Sequence, residues 1–410
     1  IALIRDGRVV WTDGFGVSNA ITQEAVTPET VFEAASNSKV VTAYIALRLV
    51  EQGKLSFDDP VLRYLKKPWL PTSSDGDLIT LRHLVSHSSG LTDDLLPLNK
   101  NLSFAPGTGF LYSGVGALYL QEIVEQVTGR SLEDNARDMV FGPLKMRSSS
   151  FVNRPDILPH KANGHIEAKR PLLFFLILSV PFFICAVLIG IVILRIIKGV
   201  WKPGGVMMAW LAVAAAVSAI LTIVFLAGQA LPNFVLLIAL TAAGCAAGFT
   251  AMVLIGRRIL TRGILRTAWI AGSFIFIFWL SGFITLPVPR GPSPQPSAVG
   301  SLRTTAPDLA AFLIELTRPE FLSKETAVQI RTPQTSIDND FSWGLGPGIQ
   351  HSAQGDALWQ NGITFGFRSV MAIYPSSGHG VVVCSNSDQG LPVVYDIAGR
   401  ALGGKARWWQ

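Results

Sequence analysis

Phe32-Glu33-Ala34-Ala35-Ser36-Asn37-Ser38-Lys39 is followed at once by the apolar positions Val40, Val41, Ala43, Ile45, Ala46, Leu47 and Leu49, and then by Gln52-Gly53. The apolar positions recur at helical spacing and the glycine supplies a stop, so the stretch predicts a helix with Ser36 at or just before its N-terminus. Lys39 lies one turn on, and serine and lysine share a face. A serine hydroxyl is a poor nucleophile at neutral pH and needs a base within hydrogen-bond reach, which a close and partly desolvated lysine provides. The helix N-terminus adds free N–H groups and partial positive charge beside the reacting oxygen. A four-residue S-x-x-K pattern occurs on many surface helices, so its neighbours decide what it means.

Upstream, residues 1–17 read as a hairpin. Ile1-Ala2-Leu3-Ile4 and Val9-Val10-Trp11 flank Arg5-Asp6-Gly7-Arg8, and an Asp-Gly pair between β-rich runs is a strong local turn signal. The chain begins inside this strand without an initiator Met or a signal peptide, and a preceding segment is expected. Downstream come Leu55-Ser56-Phe57-Asp58-Asp59-Pro60-Val61 and Ile79-Thr80-Leu81-Arg82-His83-Leu84-Val85-Ser86-His87-Ser88-Ser89-Gly90-Leu91. Then follow Phe104-Ala105-Pro106-Gly107, Phe110-Leu111-Tyr112-Ser113-Gly114, Phe141-Gly142-Pro143-Leu144-Lys145-Met146 and Asn163-Gly164-His165.

With Ser36 and Lys39 upstream, the 79–91 run closely resembles the I-T-x-x-x-L-L-x-H-x-S-G-L segment of the serine β-lactamase and penicillin-binding family. Its relevant branch holds class C β-lactamases, D-Ala-D-Ala carboxypeptidases, D-aminopeptidases and esterases. The resemblance implies that Tyr112 opens the family's Tyr-x-Asn box, facing the serine and shuttling its proton. Gly114 stands where that box has asparagine, removing an amide usually offered to substrate. His87 reads as a buttress of its turn.

Overall the chain of 410 residues is 49% hydrophobic and 15% charged, with a formal net charge of +6. The hydrophobic excess is concentrated. From 171 to 289 there is no Asp or Glu, while Arg195, Lys198, Lys202, Arg257, Arg258, Arg262 and Arg266 lie there, leaving about −1 elsewhere. The basic balance is therefore local to this block, and a nucleic-acid partner loses its main support. Four apolar runs, at 171–194, 205–231, 233–256 and 268–289, are each long enough to cross a hydrocarbon core of about 30 Å as a helix. None holds Asp, Glu, Lys, Arg or His, which argues against a transporter or proton relay and for an anchor or association bundle. Small residues such as Gly244, Gly248, Ala214, Ala215, Ala216 and Ser218 suit close helix approach and self-association.

All seven basic residues follow the first and third runs, and none follows the second. The positive-inside rule then puts those loops in the cytoplasm and the flanking parts outside. Cys185 and Cys245 lie in apolar runs, Cys384 reads as a buried strand residue, and no disulfide framework or metal-spaced cluster appears.

Past the Pro-rich linker at 287–294, the resemblance resumes. Ala298-Val299-Gly300-Ser301-Leu302-Arg303-Thr304-Thr305-Ala306-Pro307-Asp308-Leu309 resembles the family's G-G-L-x-S-T-A-x-D-L helix start, and Phe341-Ser342-Trp343-Gly344 a strand entry. Trp359-Gln360-Asn361-Gly362-Ile363 aligns with the third box, normally Lys or His, any residue, then Gly. Gln360 carries no charge, so attraction for an anionic substrate is expected to be weaker. Gly362 lets the strand approach a substrate closely. By resemblance, the backbone N–H groups of Ser36 and Ile363 form an oxyanion hole, and Gly114, Gln360 and Gly362 hold substrate-binding positions. Residues 369–375 and 380–386 read as two further strands around Ser376-Ser377-Gly378, and 394–402 as a closing helix.

The resemblance implies a mixed α/β (α+β) fold, an antiparallel sheet flanked by helices with a helical subdomain. Its halves, 1–165 and 297–410, are interrupted by four transmembrane helices within 171–289. One site built from both halves requires both on one side of a bilayer, which an even number of spans satisfies. The expected protein is a membrane-anchored, extracytoplasmic serine hydrolase acting through a Ser36 acyl-enzyme on a small-molecule or peptide amide or ester, with no metal or organic cofactor. Two other readings remain open: a penicillin-binding-like pseudoenzyme that binds a ligand and signals through its spans, and a hydrolase that prefers small esters.

Overall fold

The computed structural model describes residues 1–68, 70, 75–92, 102–165 and 295–403. All fall in one unit, Ile1–Ala168 with Pro292–Gln410. The four expected spans lie outside the described residues. Among those that are described, no helix is long and apolar enough to cross a membrane.

The N-terminal hairpin forms as the Asp-Gly pair predicts. β1 (Ala2–Arg5) and β2 (Arg8–Thr12) pair through Arg5 and Arg8. Both turn residues are left-handed, Asp6 at φ 51° and Gly7 at φ 70°, the backbone a two-residue turn of matching twist requires. Next come the short pair β3 (Val17–Asn19) and β4 (Glu24–Ala25), and then β5 (Phe32–Ala35).

β5 runs into α1 (Asn37–Glu51), which Gln52 and left-handed Gly53 end where the sequence places a stop. Twelve of the fifteen α1 residues are buried, so it is a central helix enclosed on all sides. α2 (Leu81–Val85), α3 (Gly114–Thr128) and α4 (Leu132–Ala136), the last continued by a π-type turn over Arg137–Phe141, complete the helical part around it.

After the break, β6 (Leu302–Thr304) pairs antiparallel with β5, Glu33 opposite Arg303. This short ladder sews the second half of the chain to the first directly beneath Ser36. There follow α5 (Ala306–Glu315), α6 (Lys324–Ile330), β7 (Thr335–Ser336), β8 (Phe341–Trp343), β9 (Gly348–Gln350), β10 (Ala357–Thr364), β11 (Phe367–Tyr374), β12 (His379–Ser385) and α7 (Leu391–Leu402). The closing helix starts three residues earlier than its apolar pattern suggests, because Pro392 sits in its first turn, where a missing N–H costs nothing.

The main sheet has eight strands in the order β2-β1-β12-β11-β10-β9-β8-β7. Its named pairs are antiparallel. Met371, Ile373 and Val382 face the core shared with α1 and α5, while Val370, Ala372, Val381 and Val383 face α7. Both faces of the central strands are thus covered, which is why β11 is buried along its whole length. Cys384, expected as a buried strand residue, is only half-buried because β12 ends beside it at Ser385.

Candidate active site

Ser36 is the N-cap residue of α1, yet its side chain caps nothing. Four other helices differ: Ser113, Ser131, Thr305 and Ser323 each turn a hydroxyl back to accept a first-turn N–H. The Ser36 hydroxyl instead lies 3.0 Å from Lys39 Nζ. The chain enters the helix through Ala35 at φ 48°, an uncommon conformation for a residue with a Cβ.

The two residues between serine and lysine hold that bend. Ser38 Oγ donates to Ala35 O at 2.6 Å and accepts the Leu302 N–H at 2.9 Å. Asn37 Nδ2 donates to Ala34 O and to Ser369 Oγ, both at 2.9 Å. Sequence reasoning passed over Asn37, Ser38 and Ser369; polar side chains at interior positions were the available signal.

Lys39 is only 6% exposed. Besides Ser36 it reaches the backbone oxygen of Val299 at 2.9 Å, and its Nζ stands 5.0 Å from the centre of the Tyr112 ring. Val299 is a further residue the sequence did not flag, and no side-chain pattern marks it because the contact is a carbonyl.

Tyr112 precedes α3 and is held from both sides by His87. The His87 carbonyl accepts the Leu111 N–H at 2.8 Å, and its Nδ1 accepts the Ser113 N–H at 3.1 Å. The His87 and Tyr112 rings stack at 4.4 Å, with Trp343 5.0 Å from the former and 5.5 Å from the latter. Burial, reinforced by the Lys39 charge, drives the His87 pKa down to about 3. The imidazole is therefore neutral and keeps a lone pair for Ser113. His87 buttresses Tyr112, as its sequence context suggests.

Gln360 is 1% exposed and donates from Nε2 to the Tyr112 hydroxyl at 3.2 Å and to Asn361 O at 2.7 Å. It meets the site through the tyrosine. Gly362 docks β10 on the bend before Ser36: a Cβ there would stand 2.1 Å from Ala34 O and 2.4 Å from Ser369 Oγ.

The direction of the Ile363 backbone follows from ladder parity. The two-residue turn Phe365-Gly366 closes on Thr364 and Phe367, so Thr364, Gly362 and Gln360 turn their backbone groups toward β11. Those of Asn361 and Ile363 then face the other edge, where β9 pairs only with Ala357, Leu358 and Trp359. The Ile363 N–H accordingly points off an edge that β9 leaves uncovered. Gly114 is the first residue of α3 and is buried.

Serine, lysine, tyrosine and glutamine thus form one chain of contacts at a helix N-terminus against the edge of an antiparallel sheet, the architecture of a β-lactamase- or penicillin-binding-type protein. A family model described as Beta-lactamase matches residues 1–209, and the chain belongs to that family. It is similar to penicillin-binding protein 4* of Bacillus subtilis (strain 168), at 30% identity over 186 residues, 39% of this chain and 40% of that protein. It is also similar to esterase EstB of Burkholderia gladioli, at 32% identity over 180 residues, 36% of this chain and 45% of that protein. The chain therefore spans less than half the length of these curated relatives. A crystal structure of a penicillin binding protein from Bacillus halodurans shares the fold, with a TM-score of 0.60 at 22% identity, covering 98% of this chain and 94% of that one.

Proposed function

We propose that this protein is a serine hydrolase that forms an acyl-enzyme on Ser36. The observation that carries the reading is the 3.0 Å approach of Lys39 Nζ to a Ser36 hydroxyl left uncapped at the start of α1. In its neutral amine form Lys39 acts as base, keeping one N–H on Val299 O and taking the hydroxyl proton on its lone pair while Oγ bonds to the substrate carbonyl carbon. The carbonyl oxygen becomes an oxyanion, received by the N–H groups of Ser36 and Ile363. The proton passes by way of the Tyr112 hydroxyl to the leaving amine or alcohol as its bond to carbon breaks. Water then adds to the acyl-enzyme, giving its proton back along the same route, and Ser36 is regenerated.

Gln360 favours a neutral ester over an anionic peptide as substrate, since it lends Tyr112 a hydrogen bond without a charge. The four apolar runs and the basic loops between them support a membrane-anchored enzyme whose hydrolase half is extracytoplasmic. The test is covalent labelling of the purified protein with a fluorophosphonate and a fluorescent penicillin, mapped by mass spectrometry beside Ser36→Ala. Labelling at Ser36 is expected from the fluorophosphonate. A folded protein that neither reagent modifies at Ser36 is instead a ligand-binding pseudoenzyme.

A further inference from the structure

Arg368 and Asp388 form a buried ion pair, Nη2 to Oδ1 at 3.0 Å, with side chains 6% and 2% exposed, and the chemistry above does not use it. Burying two charges is costly unless their remaining donors and acceptors are met as well. Here the backbone of one turn meets three of them. Arg368 Nη1 donates to Thr364 O at 2.5 Å and to Phe367 O at 2.7 Å, and Asp388 Oδ1 accepts the Gly366 N–H at 2.8 Å. These groups span the turn that closes β10 onto β11, beginning one residue beyond Ile363.

The Asp388 loop is anchored in turn. The Asp388 N–H donates to His165 O at 3.0 Å, and the His165 N–H donates to Asn386 O at 2.8 Å. On the other side of Ile363 stands Gly362, required for close approach to Ala34 yet the residue with the widest backbone freedom in the strand. A donor flanked by glycine holds its aim only if its far side is fixed.

We propose that the Arg368–Asp388 pair is a positioning element of the acyl-transfer site, gripping the 364–367 turn so that the Ile363 N–H stays directed at the place where the oxyanion forms. The proposal rests on the reading of Ser36 as nucleophile. Asp388→Asn keeps an acceptor for Gly366 and abolishes the charge pair; Arg368→Lys keeps the charge and loses the forked grip on two carbonyls. For each variant in the purified full chain, the rate of Ser36 acylation by a p-nitrophenyl ester, the KM and the rate ratio of that ester to its thionoester are measured. That ratio reads how well an oxyanion hole engages oxygen in preference to sulfur.

The expected result is a loss of about 10- to 100-fold in acylation, below the roughly 10²–10³-fold that deleting an oxyanion donor costs. KM should stay within about twofold while the ester-to-thionoester ratio falls. A folded variant that acylates at the wild-type rate, or one that slows with an unchanged ratio, overturns the positioning role. So does failure of both variants to fold, which makes the pair structural. If wild-type Ser36 is itself not acylated, the reading of the site falls first and the proposal with it.

Discussion

At the scale of single residues, the proposed chemistry depends on a serine hydroxyl that leaves its helix uncapped and on a lysine amine held beside it. Replacing Lys39 by Met preserves length and removes the proposed base 3.0 Å from Ser36; Ser36 labelling by fluorophosphonate should slow by about 10²–10⁴-fold, the span ascribed to general-base catalysis. Gln360→Lys would put a charge beside the Tyr112 hydroxyl. Turnover of a carboxylate-bearing ester relative to its methyl ester should then rise about tenfold, since a hydrogen bond to a charged group exceeds a neutral one by roughly 1–1.5 kcal/mol. An unchanged ratio would show that Gln360 does not set charge preference. Ser36, Lys39, Tyr112 and Gln360 were all legible in the sequence, because the proposed chemistry lies in their side chains and these sit at motif spacing. Val299 was not, because its contribution is a carbonyl, and any residue has one.

At the scale of elements, His87 ties the α2 turn to the start of α3, and its protonation opposes that tie. Its folded pKa of about 3 lies below the ordinary value of 6.5, so between those two values the unfolded chain binds the extra proton. Stability is therefore full above about pH 6.5 and falls as the pH drops toward 3. His87→Asn, which retains an acceptor for the Ser113 N–H, should flatten this acid limb by one proton in urea unfolding measured across that range. An unaltered limb would place the titration elsewhere.

Gly362→Ala tests the docking of β10 on the Ser36 bend. The added methyl meets the Ala34 carbonyl oxygen, a backbone atom that cannot swing aside. A loss of about 1–3 kcal/mol in unfolding free energy is expected, with slower acylation because Ile363 moves with the strand. The hairpin at Asp6-Gly7 and the helix after Ser36 were readable from local signals. The burial of α1 on every side was not, since apolar spacing reports one face while enclosure depends on what packs against the others.

At the scale of the whole molecule, the two halves of the described unit are far apart in sequence and meet at β5 and β6, at Lys39 and Val299, and along the sheet where β1 pairs with β12. The proposed topology has a direct check: on intact cells, a membrane-impermeant thiol reagent should label a cysteine placed at Gln229 and spare one at Gly199. Labelling at Gly199 alone would reverse the orientation and put the hydrolase half in the cytoplasm.

The sequence by itself determined the family resemblance, the serine–lysine pair and the break between the two halves, because each is written in residue types at short range or in a run of composition. Tertiary structure alone decided that Ser36 leaves its helix uncapped, that Val299 receives Lys39, and that ladder parity aims the Ile363 N–H off the edge of β10. It also placed the Arg368–Asp388 grip beyond Ile363. These are backbone directions and contacts between distant residues, set by strand register and packing, and no local pattern of side chains encodes them.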